Sequence, residues 1–346
     1  MRKNLNLIIG ILIGTFLLYL FLRKADFEQF KKSLTEANYG IIFIALLLIL
    51  FTYCIRGFRW QLFLMPIKKA KVSNLISTTI IGFSITTLLP GRLGEIARPC
   101  LLGIKENISK SCTFATVIVE RLFDFITIFC LFSLYLLFKP ASSGNSPQEQ
   151  LILTAYKKGG IIGLSISLSL MLILIIIHLK THWFQSLIDI LTSRLPQKLS
   201  RRLRKPLKSF IEGLVIIDVK RNLPYLIMYS LGLWLAISLS YWLIMIAFGI
   251  SLPFYFSLFI MTAAAIGALI PTPGAVGGYH IALQIAFVTF WGINEDLSRA
   301  MAIVMHALSF FPVAVLGILF IWLEGLSLSK IKRLPQDMDE KINLCQ

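Results

Sequence analysis

Residues 86–99 read TTLLPGRLGEIARP: two Pro, two Gly, two Arg and one Glu within fourteen positions. They close a long apolar run in a chain that is 57% hydrophobic, 15% charged and has a mean hydropathy of +0.79. A soluble domain of 346 residues does not need so much apolar surface. Breaking an apolar backbone at Pro90-Gly91, and charging the break with Arg92, Glu95 and Arg98, is costly unless the segment is sheltered. Non-helical backbone is tolerated at membrane depth only where protein buries it or a wet cavity adjoins it. The stretch therefore predicts a polar interior site inside a membrane protein.

Several runs reach the ~20 residues that cross a ~30 Å hydrocarbon core. The clearest are 5–22, 39–55, 159–179 and 300–323. A β-barrel would show short alternating segments instead. Arg2 and Lys3 begin the first run as they would a signal peptide, but no small-residue cleavage site follows and Arg23-Lys24 close it. It reads as a first membrane helix. The net charge of +17 is concentrated in loops, with ten Lys or Arg against three acids in 180–222. Basic loops between apolar spans mark the cytoplasmic side and meet anionic headgroups, and no nucleic-acid motif accompanies them. Within that loop, 182–196 reads as an interfacial amphipathic helix. Cys54, Cys100, Cys112 and Cys130 lie mostly within apolar runs and read as small apolar residues.

Threading starts with the N-terminus inside. The second helix, 39–58, returns to deliver Arg56, Arg59, Lys68, Lys69 and Lys71 to the cytoplasm. The neutral segment 141–150 reads as external, so helix 111–138 runs outward and 151–179 inward. Residues 72–104 then begin and end on the same side, which a hairpin broken at Pro90-Gly91 satisfies and a single span does not. After the outward helix 223–248, residues 255–291 form a second hairpin, broken at Pro271-Thr272-Pro273-Gly274. Helix 299–323 then returns to a cytoplasmic tail.

LLPGRLGE and LIPTPGAVGG share L-[LI]-P followed by G-x-x-G, in which Gly91 and Gly94 correspond to Gly274 and Gly277, with Gly278 next. Two similar hairpins entering from opposite faces are the mark of an inverted-topology repeat. Two Pro-kinked spans of different sidedness are the alternative. The expected fold is all-α: about six full membrane helices plus two re-entrant hairpins, in one domain over 1–326 with a tail at 327–346. Both termini are cytoplasmic and the location is the cell membrane.

Glu120, Arg121 and Asp124 interrupt the apolar VIVERLFDFITIF. Such groups are expensive in a bilayer, and mark function more often than chance. Glu120 and Asp124 share a helix face, and Arg121 reaches Asp124 at i,i+3. An ion pair that merely docks helices is the plainer reading. Arg92, Glu95 and Arg98 recur at spacing three on a short helix whose free N–H groups would favour an anion. Arginine binds phosphate bidentately, so the break reads as a phosphate seat, unless Arg92 and Arg98 snorkel to headgroups. His280 is a relay if it faces a carboxylate, and otherwise a packing residue. The Ser and Thr of 72–87 suit helix packing or a polar groove.

Three segments, LLPGRLGEIARPCLLG, CTFATVIVERLFDFITI and IPTPGAVGGYH, resemble in order the hallmarks of the lysylphosphatidylglycerol synthase transmembrane-region family. These are the flippase-like, YbhN-like membrane proteins. The resemblance implies lipid translocation. In a fused member the region precedes a soluble lysyl-transferase domain and moves the aminoacylated lipid between leaflets. Only residues 324–346 follow the last apolar run here, so lysine transfer is not carried over. Many members carry Glu shortly after the second glycine motif, where this chain reads Gly278-Tyr279-His280.

No Walker loop, H-E-x-x-H or G-x-S-x-G is present. No catalytic residue, metal or cofactor is expected. The partners expected are membrane lipids, with an anionic phospholipid or a polyprenyl-phosphate-linked headgroup, held by Arg92, Glu95, Arg98, Glu120, Arg121, Asp124 and His280. An integral-membrane transferase on a lipid-linked substrate, or a non-transporting subunit of a cell-envelope enzyme, are the alternatives.

Overall fold

The computed structural model describes residues 2–23, 25–89, 92–138, 179–194, 219–270 and 272–326, with single positions or pairs elsewhere between 150 and 211. Its elements are α1 (Arg2–Leu22), α2 (Phe27–Glu36), α3 (Tyr39–Leu64), α4 (Val72–Leu88), α5 (Leu93–Glu106), α6 (Lys110–Phe138), α7 (Thr181–Ser193), α8 (Val219–Ala247), α9 (Tyr255–Gly267), α10 (Gly278–Trp291) and α11 (Glu295–Leu323). One 3-10 turn spans Pro273–Ala275. There is no strand among the described residues. Most of the expected span 151–179, nearly all of segment 141–150 and the tail 327–346 lie outside them.

Local chemistry sets the helix starts. Asn38 and Asn294 cap α3 and α11 by accepting hydrogen bonds from the N–H groups of Ile41 and Asp296, and Glu295 and Asp296 suit the positive end of α11. α3, α11 and the Asn222–Ala247 part of α8 are long and apolar enough to cross a membrane. Their outer faces expose large apolar side chains, among them Phe43, Phe51, Phe311 and Trp322. Water would penalise that surface, and lipid does not.

α4 and α5 form an antiparallel hairpin. At its open end Asn74 Nδ2 donates to Glu106 Oε1 (2.6 Å), and Lys105 Nζ donates to Ser77 Oγ (3.0 Å). α9 and α10 form a second one, closed at its open end by Phe256 against Trp291 and Phe259 against Phe290. Near each tip a glycine on one arm meets a glycine on the other. A Cβ on Gly94 would lie 1.8 Å from the Gly82 carbonyl oxygen, and one on Gly278 would lie 2.7 Å from that of Gly267. Gly94 and Gly278 stand in the first turns of α5 and α10, where they let two backbones touch. Positive φ at Gly274 and Gly277 turns the second tip, and Pro273 starts its 3-10 turn. In the first tip Arg92 takes the left-handed conformation ahead of α5. Pro90, Gly91 and Pro271 lie outside the described residues.

α11 runs past both hairpins and fixes their order. From its N-terminal half, His306 Nε2 bonds the Gly274 carbonyl (2.6 Å) and Phe310 packs on Tyr279. Further along, Ser84 Oγ donates to the Ala314 carbonyl (3.1 Å) and Gly317 abuts Ser84 and Ile80. Just beyond α11, Glu324 pairs with Lys105 at the open end of the first hairpin. The hairpins thus point at each other along a helix ~44 Å long at 1.5 Å per residue. Their tips touch: Arg92 Nη2 donates to the Ala268 carbonyl (2.8 Å), and a Cβ on Gly274 would sit 3.4 Å from the Thr87 carbonyl oxygen. α1 packs over the second tip through Gly14 and Leu17.

Candidate functional site

Beside the touching tips lies a buried cluster of opposite charges. α6 supplies Glu120, Arg121 and Asp124, α3 supplies Arg56 and Arg59, and α5 supplies Arg98. Arg59 spans both acids, with Nη1 2.8 Å from Asp124 Oδ1 and Nη2 3.2 Å from Glu120 Oε1. Arg98 Nη1 donates to Glu120 Oε1 (3.1 Å) and its Nη2 lies 3.0 Å from Oε2, with the guanidinium 3.8 Å from the centroid of Trp60. Arg121 reaches Glu120 Oε1 (3.1 Å) and Asp124 Oδ2 (3.3 Å). Trp234 Nε1 also donates to Asp124 (3.0 Å), and Ser230 Oγ accepts from Arg59. Arginine stays protonated in proteins, and each carboxylate lies between at least two guanidiniums, so the cluster carries full charges.

The cluster forms one wall of a cavity of about 270 Å³ at the junction of the tips. Thr86, Thr87 and Arg92 of the first hairpin and Ala268, Gly274 and Ala275 of the second line it. Its charged lining is Arg56, Arg92, Glu95, Arg121 and Asp124. Arg56 differs from the other arginines. It is only 7% exposed and its guanidinium lies near the rings of Phe83 and Trp234 (4.8 and 5.9 Å). It makes no ion pair among the described residues, and its Nη1 has no hydrogen-bond acceptor. Arg92 and Glu95 pair at 3.6 Å and are about two-fifths exposed.

Of the residues expected from the sequence, Arg98, Glu120, Arg121 and Asp124 share one network, and Arg92 and Glu95 face the same cavity. The i,i+3 contact of Arg121 with Asp124 is present. Arg98 is buried against Glu120 and does not snorkel. His280 is not part of this cluster. Its Nδ1 accepts the Gly277 N–H (3.3 Å), its ring lies 4.5 Å from that of His306, and neither contact is a carboxylate. The Ser and Thr of α4 serve both suggested ends: Thr86 and Thr87 line the cavity while their hydroxyls bond carbonyls one turn back, and Ser84 docks α11.

Arg56 and Arg59 were missed. The sequence reading ended the second helix at 58 and sent both to the cytoplasm, but α3 continues to Leu64 and buries them. Their signal was present in RGFRW: Arg56, Arg59 and Trp60 repeat at i, i+3, i+4, which places them on one face toward protein.

The sequence model of the family described as "Lysylphosphatidylglycerol synthase TM region" matches residues 7–317. A UPF0104 membrane protein of Methanocaldococcus jannaschii is 29% identical over 242 residues, covering 69% of this chain and 93% of that protein. A UPF0104 membrane protein of Pyrococcus horikoshii is 24% identical over 333 residues, covering 92% of this chain and 96% of that one. The glycosyltransferase AglD of Haloferax volcanii is 20% identical over 337 residues, which are 88% of this chain and 52% of that protein.

Proposed function

We propose that this chain, which belongs to the lysylphosphatidylglycerol synthase TM region family, moves a lipid with an anionic headgroup between the leaflets of the cell membrane. The observation that carries this reading is Arg56, buried and in no ion pair among the described residues, on a cavity where two opposed hairpin tips touch. A buried charge held in no ion pair is expensive, and an anionic ligand offsets that cost. In this reading Arg56 and Arg121 hold the headgroup, Arg92 and Glu95 form its entrance, and Arg59 and Arg98 keep the acids in place.

The hairpins enter from opposite membrane faces as halves of an inverted repeat, and both chain termini are cytoplasmic. Their tip-to-tip order along α11 and the matching Gly82–Gly94 and Gly267–Gly278 crossings support that symmetry. Access then alternates by rocking one hairpin against the other around a fixed site. With no nucleotide motif in the sequence, exchange runs down a gradient, is coupled to an ion, or is driven by a partner of the cell envelope.

The second reading, a transferase acting on a lipid-linked substrate, is favoured by the likeness to a protein named as a glycosyltransferase. It needs a carboxylate free to act as base or metal ligand, yet Glu120 and Asp124 are each held by two or more arginines. The test is leaflet exchange in proteoliposomes containing fluorescent anionic lipids, followed by mass spectrometry of the recovered lipid. Arg56→Gln and Arg121→Ala are expected to abolish exchange while the protein stays monodisperse, and the lipid should be recovered unaltered. Undiminished exchange removes both arginines from the site, and a covalently altered lipid favours the transferase.

A further inference from the structure

Charge around the cavity identifies the headgroup more closely. Five arginines, Arg56, Arg59, Arg92, Arg98 and Arg121, stand against three acids, Glu95, Glu120 and Asp124. Among the described residues the cluster therefore holds two positive charges in excess. Arginines do not shed their protons to relieve this. Two groups pointing at the cavity also have idle donors: Arg56 Nη1 and Arg121 Nε lack acceptors. The hydroxyl protons of Thr86 and Thr87 are used on their own helix, so these two guanidiniums are the main charged donors left.

We propose that the ligand of this cavity is a phosphomonoester dianion, in preference to a phosphodiester or a zwitterionic headgroup. This deepens the translocation reading and rests on it for the lipid. A monoester brings close to two negative charges near neutral pH and three terminal oxygens. Two arginines can each grip it, and the excess charge is cancelled. A diester brings one charge and two free oxygens, leaving one positive charge buried and uncompensated. A zwitterion leaves two. The rim points to a lipid as the source of the phosphate. Phe125, Leu269 and Ile270 border the cavity and are 37–48% exposed, so an acyl or prenyl tail can leave sideways into hydrocarbon.

The test compares two probes that differ by one methyl group and one charge, dioctanoyl phosphatidic acid and dioctanoyl phosphatidylmethanol. Both are bound to the purified full chain in detergent and counted by native mass spectrometry. The monoester is expected to bind at least about tenfold more tightly, the worth of one hydrogen bond to a charged group. Arg56→Gln should cut that preference to about threefold or less by removing one of the two excess charges. Glycerol 3-phosphate separates the sources: binding far weaker than that of phosphatidic acid assigns the site to a lipid, and equal binding assigns it to a soluble monoester. Equal affinity of wild-type protein for the two lipids overturns the proposal, and needs no variant to fold. That result leaves translocation of a diester standing. Tight monoester binding without leaflet exchange in vesicles does the reverse: the dianion site stands and the translocation reading fails.

Discussion

Arg59 Nη1 lies 2.8 Å from Asp124 Oδ1, with the guanidinium fully buried and its other Nη on Glu120. Arg56, one helical turn earlier on α3, faces the cavity and stands outside every ion pair among the described residues. In the proposed reading one arginine holds helices together and the other is left for a ligand. That division is testable by stability alone. Arg59→Met leaves two buried carboxylates short of counter-charge and should cost about 3–5 kcal/mol. Arg56→Met removes a buried charge held in no ion pair among the described residues and should be neutral or stabilising. Thermal melting in detergent reads both, and equal losses from the two variants would contradict the division.

The hairpin crossings make a second prediction. A Cβ on Gly94 meets the Gly82 carbonyl oxygen at 1.8 Å, and neither backbone can retreat without parting the arms. Gly94→Ala should therefore destabilise by about 1–3 kcal/mol or more. Gly232, in the middle of α8, has nothing within 4 Å of the same added atom. Gly232→Ala should stabilise by up to about 1 kcal/mol through helix propensity. Melting temperatures that shift in the same direction for both variants would show that the crossing is not tight.

The amphipathic segment responds to pH differently from the rest. Asp189 on α7 accepts hydrogen bonds from Arg204 Nε (2.6 Å) and Lys208 Nζ (2.8 Å), which pull its carboxyl down to about 2. Folding thus lowers its pKa from an ordinary ~3.9. The pairing adds stability above that ordinary value and loses it as pH falls through about 2. Trp183, exposed on α7, should keep one fluorescence spectrum from pH 8 to pH 4 and shift only nearer pH 2. High salt should weaken the same contact, since the groups are partly exposed. A transition near pH 4 would mean that Asp189 stands free.

Much of this was legible in the residues. Glu120, Arg121 and Asp124 stand out because ionised groups rarely interrupt an apolar run without partners, and the structure gives each of them partners. Pro273, Gly274 and Gly277 marked where the second hairpin turns. What was not legible follows from how charge near a helix end is read. Arg56 and Arg59 occupy the last turns of a span, where basic side chains usually meet headgroups, and only the packing of α6 and α8 against α3 turns them inward. Gly94 and Gly278 looked like turn residues because their contacts are with glycines on the other arm, eleven or twelve positions away in the chain. His280 carried no signal to distinguish a relay from a packing residue. Its neighbours, Gly277 and His306, come from the tip and from α11.

In the proposed reading two opposed tips meet and a headgroup passes between them. Thr87 and Gly274 sit on facing tips, and a Cβ at 274 would lie 3.8 Å from the Thr87 side chain. Thr87→Cys with Gly274→Cys, in a background lacking the native cysteines, should form a disulfide on mild oxidation, because the Thr87 atom at that distance is Cγ2, a substituent on Cβ where a cysteine carries its sulfur. The account predicts that oxidised proteoliposomes lose lipid exchange and that a reductant restores it. Failure of the pair to cross-link, or full exchange with the tips joined, would contradict it.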